Sequence, residues 1–315
     1  MNKTGFISYL QSKGLAPSSI THYTSYVEFF FKRVQKEAIQ VSKADILKHL
    51  EYLKNRREQQ NITRRNNLIA LNHYFTYLYK DGEISENPCW WLKIRGTNKQ
   101  TLYKTYSPAE LDTLFDTYYL LLVRNYDDSH IPKNQRRQSA LSKDRNALVL
   151  SILIYQGTTT KEIDKIEMGD FDLNKATLKI RGGKKSNERV LPLKATQIGL
   201  FIHYLQNIRP QLLEYHTAET NKLFVPMPEF SKRNTKNDTS MHIFKGLTTK
   251  VKSIDKQFLN FKQVRASVIA FWLKTQGLRK AQYLAGHRYI SSTEKYLSHN
   301  MDDLTDDINK LHPFQ

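Results

Sequence analysis

The 315-residue chain has one cysteine, Cys89. A single thiol excludes an intramolecular disulfide and a thiolate metal cluster within the chain, and it suits a reducing, cytoplasmic compartment. Beside Trp90 and Trp91, Cys89 reads as a small buried hydrophobe. No uninterrupted apolar run reaches transmembrane length, and the opening MNKTGFISYLQSKG lacks the build of a secretory signal. No membrane partner is therefore expected. There is no P-loop and no internal repeat. Acidic residues are scarce against basic ones: 30 Asp+Glu face 49 Lys+Arg, a formal net charge of +19. Folding does not require that excess. A surface so positive attracts polyanions, and nucleic acid is the first partner to consider.

The length suffices for two domains. Residues 1–95 read as a helical bundle. Pro17-Ser18-Ser19 predicts a helix start with serine capping, followed by Ile20, Tyr23, Val27 and Phe30 at helical spacing. Ser42 opens a stripe of Ile46, Leu50 and Leu53, and a third helix is predicted from Thr63 to Tyr79. Residues 96–106 are basic, polar and aperiodic, and read as a linker. Ser107-Pro108-Ala109-Glu110 predicts a capping box that opens a second domain over 107–300. That domain reads as mixed. Thr177–Ile180 and Val190–Leu193 have strand patterns around a basic turn, Arg181–Asn187. Helical segments are expected at Leu148–Tyr155, Lys194–Ile208, Leu247–Val251, Val264–Thr275, Arg279–Ala285 and Ser292–Leu297. Arg124–Arg145 and Tyr215–Ser240 read as loops or insertions. The fold class is mainly α with a small β-sheet (α+β).

Fifteen basic side chains face eight acidic ones in residues 1–95, and thirty-three face eighteen in residues 96–300, so both domains could grip one duplex. The tail, residues 301–315, carries one against four and a stripe of Leu304, Ile308 and Leu311. It predicts a short amphipathic helix that docks on protein, either its own domain or a neighbouring protomer.

Four motifs stand in order. They are Gly157-Thr158-Thr159-Thr160-Lys161-Glu162, then Gly183-Lys184-Lys185 through Arg189 to Pro192, then Lys262-Gln263-Val264-Arg265, and finally Gly286-His287 followed by Ser291-Ser292-Thr293 and Tyr296. Their order and register resemble the tyrosine recombinase (phage integrase) family over nearly the whole chain. The fold implied is an N-terminal helical core-binding domain and a mixed catalytic domain.

The resemblance implies that Tyr296 is the nucleophile, leaving a 3′-phosphotyrosine that stores the bond energy, so that neither ATP nor a metal or other cofactor is required. It implies that Arg265 stabilises the phosphoryl oxygens, whose geometry a guanidinium fork matches. His287 would hydrogen-bond the phosphate and Lys184 would be the general acid, with Lys185 as the alternative register. Lys262 occupies a position usually held by histidine. The chain departs from the family at its first arginine, where Thr159 stands. Arg145 and Lys161 are the candidate substitutes. In the helical domain, Lys54, Arg56, Arg57, Arg64 and Arg65 cluster at one turn and are candidate DNA contacts. The implied partner is double-stranded DNA with an inverted-repeat core site, bound by a homotetramer, with an accessory DNA-bending protein left open. Two other readings stay open: a catalytically weak or inactive architectural relative, and a type IB topoisomerase-like enzyme.

Overall fold

The computed structural model describes residues 2–96, 103–183, 186–216, 219–227 and 241–297. They divide into two compact units, Met1–Thr101 and Leu102–Gln315. Lys184, Lys185 and the tail from 301 onward lie outside the described residues.

The first unit holds four principal helices: α1 (Lys3–Ser12), α2 (Pro17–Val34), α3 (Lys43–Asn55) and α4 (Asn61–Lys80). Their apolar stripes meet in one core that includes Phe6, Leu10, Val27, Phe30, Ile46, Leu53, Leu71 and Phe75. Cys89 is buried in the same core, and burial pushes its thiol up to about 12, so it is inert. The start of α2 corrects one expectation. No serine caps it: Ala16 is the N-cap, without a side-chain hydrogen bond. Pro17 at the first helical position has a pre-set φ and no N–H to satisfy, so a capping side chain is less needed. Helix α3 does carry a capping box, between Ser42 and Asp45.

His49 of α3 is fully buried, with Nδ1 accepting from Arg33 Nε at 3.1 Å. Its Nε2 has no hydrogen-bond partner among the described residues. Burial, then the Arg33 charge, pushes its pKa down to about 4. An unfolded histidine titrates near about 6.5. As pH falls from there toward 4, the unfolded chain takes up a proton that the folded chain refuses, so stability present above that window is lost within it. Thermal unfolding followed by circular dichroism is expected to show the midpoint dropping across this range, with a shallower drop in His49→Gln.

In the second unit, α5 (Pro108–Tyr119) begins with the expected Ser107–Glu110 capping box. Tyr106, just before it, is already buried, its N–H on Ser267 Oγ and its hydroxyl on Asp255. Helix α6 runs Lys133–Tyr155, so the reading of Arg124–Arg145 as loop is corrected from Lys133 onward. Its first two turns are largely exposed and rich in Lys, Gln and Arg. Such residues form helix well but, having little to bury, give no apolar period. The later turns cross the core, where Leu148 through Ile154 are all buried.

After the short α7 (Thr160–Ile163), strands β1 (Phe171–Asp172), β2 (Thr177–Ile180) and β3 (Arg189–Pro192) form an antiparallel sheet in that order. Ile180 pairs with Arg189 and Leu178 with Leu191. Helices α8 (Ala195–His203) and α9 (Arg209–Leu213) follow, then α10 (Met241–Ile254). Between α9 and α10, Leu223, Phe224 and Val225 are buried although the stretch reads as loop. Helix α11 (Phe261–Ala285) breaks at Gly277, whose φ of 75° and ψ of 168° are not helical. A straight helix would hold residues twenty apart at about 30 Å. The Arg265 side chain nevertheless reaches the Ala285 carbonyl, so the break folds α11 back on itself. The last described helix is α12 (Ser291–Glu294).

Candidate active site

The site grows from the end of α6. Gly157 turns the chain with φ +53°, and a Cβ there would lie 2.9 Å from Val268 Cγ1. This close approach lets the Gly157 carbonyl accept from Arg265 Nη1. Thr159 then caps α7. Its Oγ1 accepts the Glu162 N–H at 3.2 Å, while Glu162 Oε2 accepts the Thr159 N–H and hydroxyl at 2.8 and 2.9 Å. The capping box aims the Glu162 carboxylate into the unit rather than into water.

Two arginines meet that carboxylate. Arg189 Nη1 donates to Glu162 Oε1 at 2.7 Å, and Arg265 Nη1 stands 3.7 Å from Oε2. Burial pushes the Glu162 carboxyl up, but Arg189, then Arg265 and the Thr159 N–H, outweigh it and hold it below its usual value. Arg265 donates from Nη2 to the Ala285 carbonyl at 2.7 Å and reaches His287 Nε2 at 3.3 Å. Burial draws its pKa below the ordinary guanidinium value, against the opposing effect of Glu162. The Tyr296 side chain also acts on it in the opposing direction.

An arginine only donates, so His287 Nε2 accepts and its proton sits on Nδ1, which faces Thr293 Oγ1 at 2.9 Å. Burial first, then the charges of Arg265 and Arg189, push the His287 pKa down to about 4. The imidazole is therefore neutral near pH 7. The half-buried Tyr296 ring stacks on it, with centroids 5.6 Å apart and planes 20° from parallel.

Gly286 closes the arrangement. It caps α11 at φ +68°, its carbonyl accepts from Asn187, and a Cβ would run into Arg189 Nη1 and the Asn187 carbonyl. Gly286→Ala combines left-handed strain with displacement of a buried ion pair. It is expected to cost about 3–5 kcal/mol, read as a lower denaturant midpoint for the second unit.

Arg265, His287 and Tyr296 are thus gathered at one place. Lys262 is exposed, one turn before Arg265 on α11. Lys161 is exposed on α7. Arg145 is corrected as a substitute cation. It is buried, donates to the Val225 carbonyl and to Asn146, and lies beside Tyr118 and Tyr204, with burial pulling its pKa down to about 10. The sequence reading missed Arg189 as a member of the cluster. The signal was available: β3 alternates inward and outward, and Arg189 shares the inward face with Leu191.

In the first unit, Lys54, Arg56, Arg57 and Arg65 are exposed between the end of α3 and the start of α4. Arg64 is half-buried and bonds Asn61 at 3.1 Å, and Arg57 stacks over Phe29.

The chain belongs to the phage integrase family, which matches residues 131–303; a phage integrase N-terminal SAM-like domain matches residues 4–83. The tyrosine recombinase XerC of Oceanobacillus iheyensis is 25% identical over 98% of this chain and 94% of its own. A TnP I resolvase of Bacillus thuringiensis is 24% identical over 97% and 98%. Among solved structures, a XerH site-specific recombinase bound to a palindromic difH substrate has a TM-score of 0.65 at 17% identity, over 95% of this chain and 81% of that one. A lambda integrase dimer bound to a core site has a TM-score of 0.62 at 12% identity, over 95% and 76%. The likeness to these structures is one of fold.

Proposed function

We propose that this protein is a site-specific DNA recombinase in which Tyr296 cuts one strand through a 3′-phosphotyrosine intermediate. The observation that carries the reading is the convergence of Arg265, His287 and Tyr296, with Glu162 behind them. The tyrosine hydroxyl gives up its proton to water as its oxygen attacks phosphorus, the P–O bond to the 5′ oxygen breaks, and a general acid protonates that oxygen. Arg265 stabilises the charge that builds on the phosphoryl oxygens. To hydrogen-bond the phosphate, neutral His287 must carry its proton on Nε2, with Thr293 Oγ1 then donating to Nδ1 and Arg265 turned from Nε2 to the phosphate. Lys184 is the proposed acid by its place in the sequence between β2 and β3, with Lys262 as a further donor. The reverse attack, by a 5′ hydroxyl on the phosphotyrosine, rejoins strands and releases the tyrosine without net hydrolysis. The partner is duplex DNA with inverted half-sites, held by four protomers. The acidic tail is proposed to dock on a neighbouring protomer.

The test is capture of a covalent adduct. Randomly nicked genomic DNA from the source organism is incubated with the protein, denatured and separated. Protein-linked fragments are expected, and their sequences define the site. No adduct from the wild-type protein would overturn the reading. Adduct with relaxation of supercoils but no recombinants would move it toward a topoisomerase.

Lys54, Arg56, Arg57, Arg64 and Arg65 are proposed to grip phosphates. Replacing Arg56, Arg57 and Arg65 together by Gln is expected to weaken binding to every duplex alike. It should also flatten the slope of log affinity against log salt by about one for each phosphate no longer gripped. Duplex affinity over a salt series checks this.

A further inference from the structure

Arg189 has no place yet in the chemistry. Its side chain is 0% exposed, and it is held at Nη1 alone, by Glu162. Its Nε and Nη2 have no hydrogen-bond partner among the described residues. A buried guanidinium matched on one edge only is costly, and such a group calls for an explanation. The backbone of Gly286 lies directly over it, and His287 follows.

The charges of the cluster give one. Arg189 and Arg265 are positive, Glu162 is negative and His287 is neutral, which leaves one net positive charge to meet a phosphodiester anion. Thr159, in the capping turn, contributes none; its hydroxyl is spent on Glu162. Without Arg189 the net charge would be zero. Glu162, already 3.7 Å from Arg265, would then have Arg265 as its only cation in the cluster. An arginine drawn onto a carboxylate is lost to the phosphate.

We propose that Arg189 is a positioning residue of the phosphate pocket: it occupies Glu162, leaves Arg265 directed at the scissile phosphate, and supplies from beneath the positive charge that Thr159 does not. It acts through Glu162 and through its field, without touching the DNA. The proposal rests on the recombinase reading.

Four proteins test it: wild type, Arg189→Met, Glu162→Gln and the double variant. Glutamine at 162 keeps an acceptor for the Thr159 capping box, so the start of α7 survives. Adduct formation is measured on a nicked duplex recovered by the capture experiment. Arg189→Met is expected to slow it about 10²-fold. The double variant, with the net charge restored, is expected within about tenfold of wild type, and Glu162→Gln at or above the wild-type rate. A structural brace would behave otherwise, since breaking either side of a buried pair should then be equally harmful. The proposal is overturned if Arg189→Met cuts at the wild-type rate, if the double variant is no faster than Arg189→Met, or if Glu162→Gln is as slow as Arg189→Met. Should Arg189→Met fail to fold, Glu162→Gln and the double variant decide: either one more than about tenfold below wild type overturns the proposal.

A second measurement needs no DNA. The groups acting on His287 are Arg265 from α11, Arg189 from β3, Glu162 from α7 and the Tyr296 ring. Proton NMR titration of the His287 ring is expected to show its pKa rising from about 4 in Arg189→Met, and an unmoved value overturns the proposal. If wild-type protein forms no adduct, the recombinase reading falls, while this titration still decides whether the Arg189 charge reaches the pocket.

Discussion

Tyr296→Phe is expected to abolish the covalent adduct while changing duplex affinity by no more than about twofold. Phenylalanine keeps the ring that stacks on His287 and removes only the hydroxyl, the atom that would bond to phosphorus. Loss of a covalent nucleophile of this kind costs about 10⁴-fold or more, so adduct should vanish from a denaturing gel. The exposed Tyr283 and Tyr289 lie close in sequence, at 55% and 67% exposure. An adduct that persists in Tyr296→Phe would mean that one of these, or another group, attacks the DNA, and the assignment of Tyr296 would fail. Binding should survive because affinity for duplex comes mainly from many distributed phosphate contacts.

Arg265→Lys is expected to slow cleavage about 10²–10³-fold, although the charge is kept. The guanidinium spans two carbonyls, Gly157 and Ala285, and reaches His287 with the same fork. An ammonium is a single point on a flexible stem and cannot bridge them. Each buried carbonyl left without a donor adds about 1–3 kcal/mol of instability, so the midpoint of the second unit should fall as well. Single-turnover cleavage with excess protein separates the two effects. A rate within about tenfold of wild type, with the protein folded, would show that the fork geometry is not used in the transition state.

The register of Gly286, His287 and Tyr296 was legible because it is local. A helix end, a left-handed glycine and a short following turn fix those positions within a few residues of one another. The strands were legible for the same reason: the alternation around Leu178 and Leu191 is a pattern of neighbours. What the sequence hid depends on contacts between distant segments. Lys143 and Arg145 sit in a charged stretch that reads as surface, yet both are buried because α6 dives through the unit there. Arg189 reads as a polar hairpin end until Glu162, 27 residues earlier, is placed beside it. Thr159 looks like a missing cation, and its actual work is to cap α7 and aim Glu162. Local patterns report which face is apolar; they do not report which charge will be enclosed with which.

The break at Gly277 divides the pocket by how far the chain must travel to close it. Arg265, Ala285, His287 and Tyr296 belong to one continuous stretch, folded back on itself by a single glycine. Gly157, Glu162 and Arg189 arrive from segments much earlier in the chain, with Gly157 108 residues from Arg265. Closing a short loop costs less entropy than closing a long one, so during folding Tyr296 and Arg265 are expected to meet first. The carboxylate and the second arginine then join as an ion pair already tied to the sheet. A newly made chain would thus hold Tyr296 beside a cation before Glu162 and Arg189 close around them.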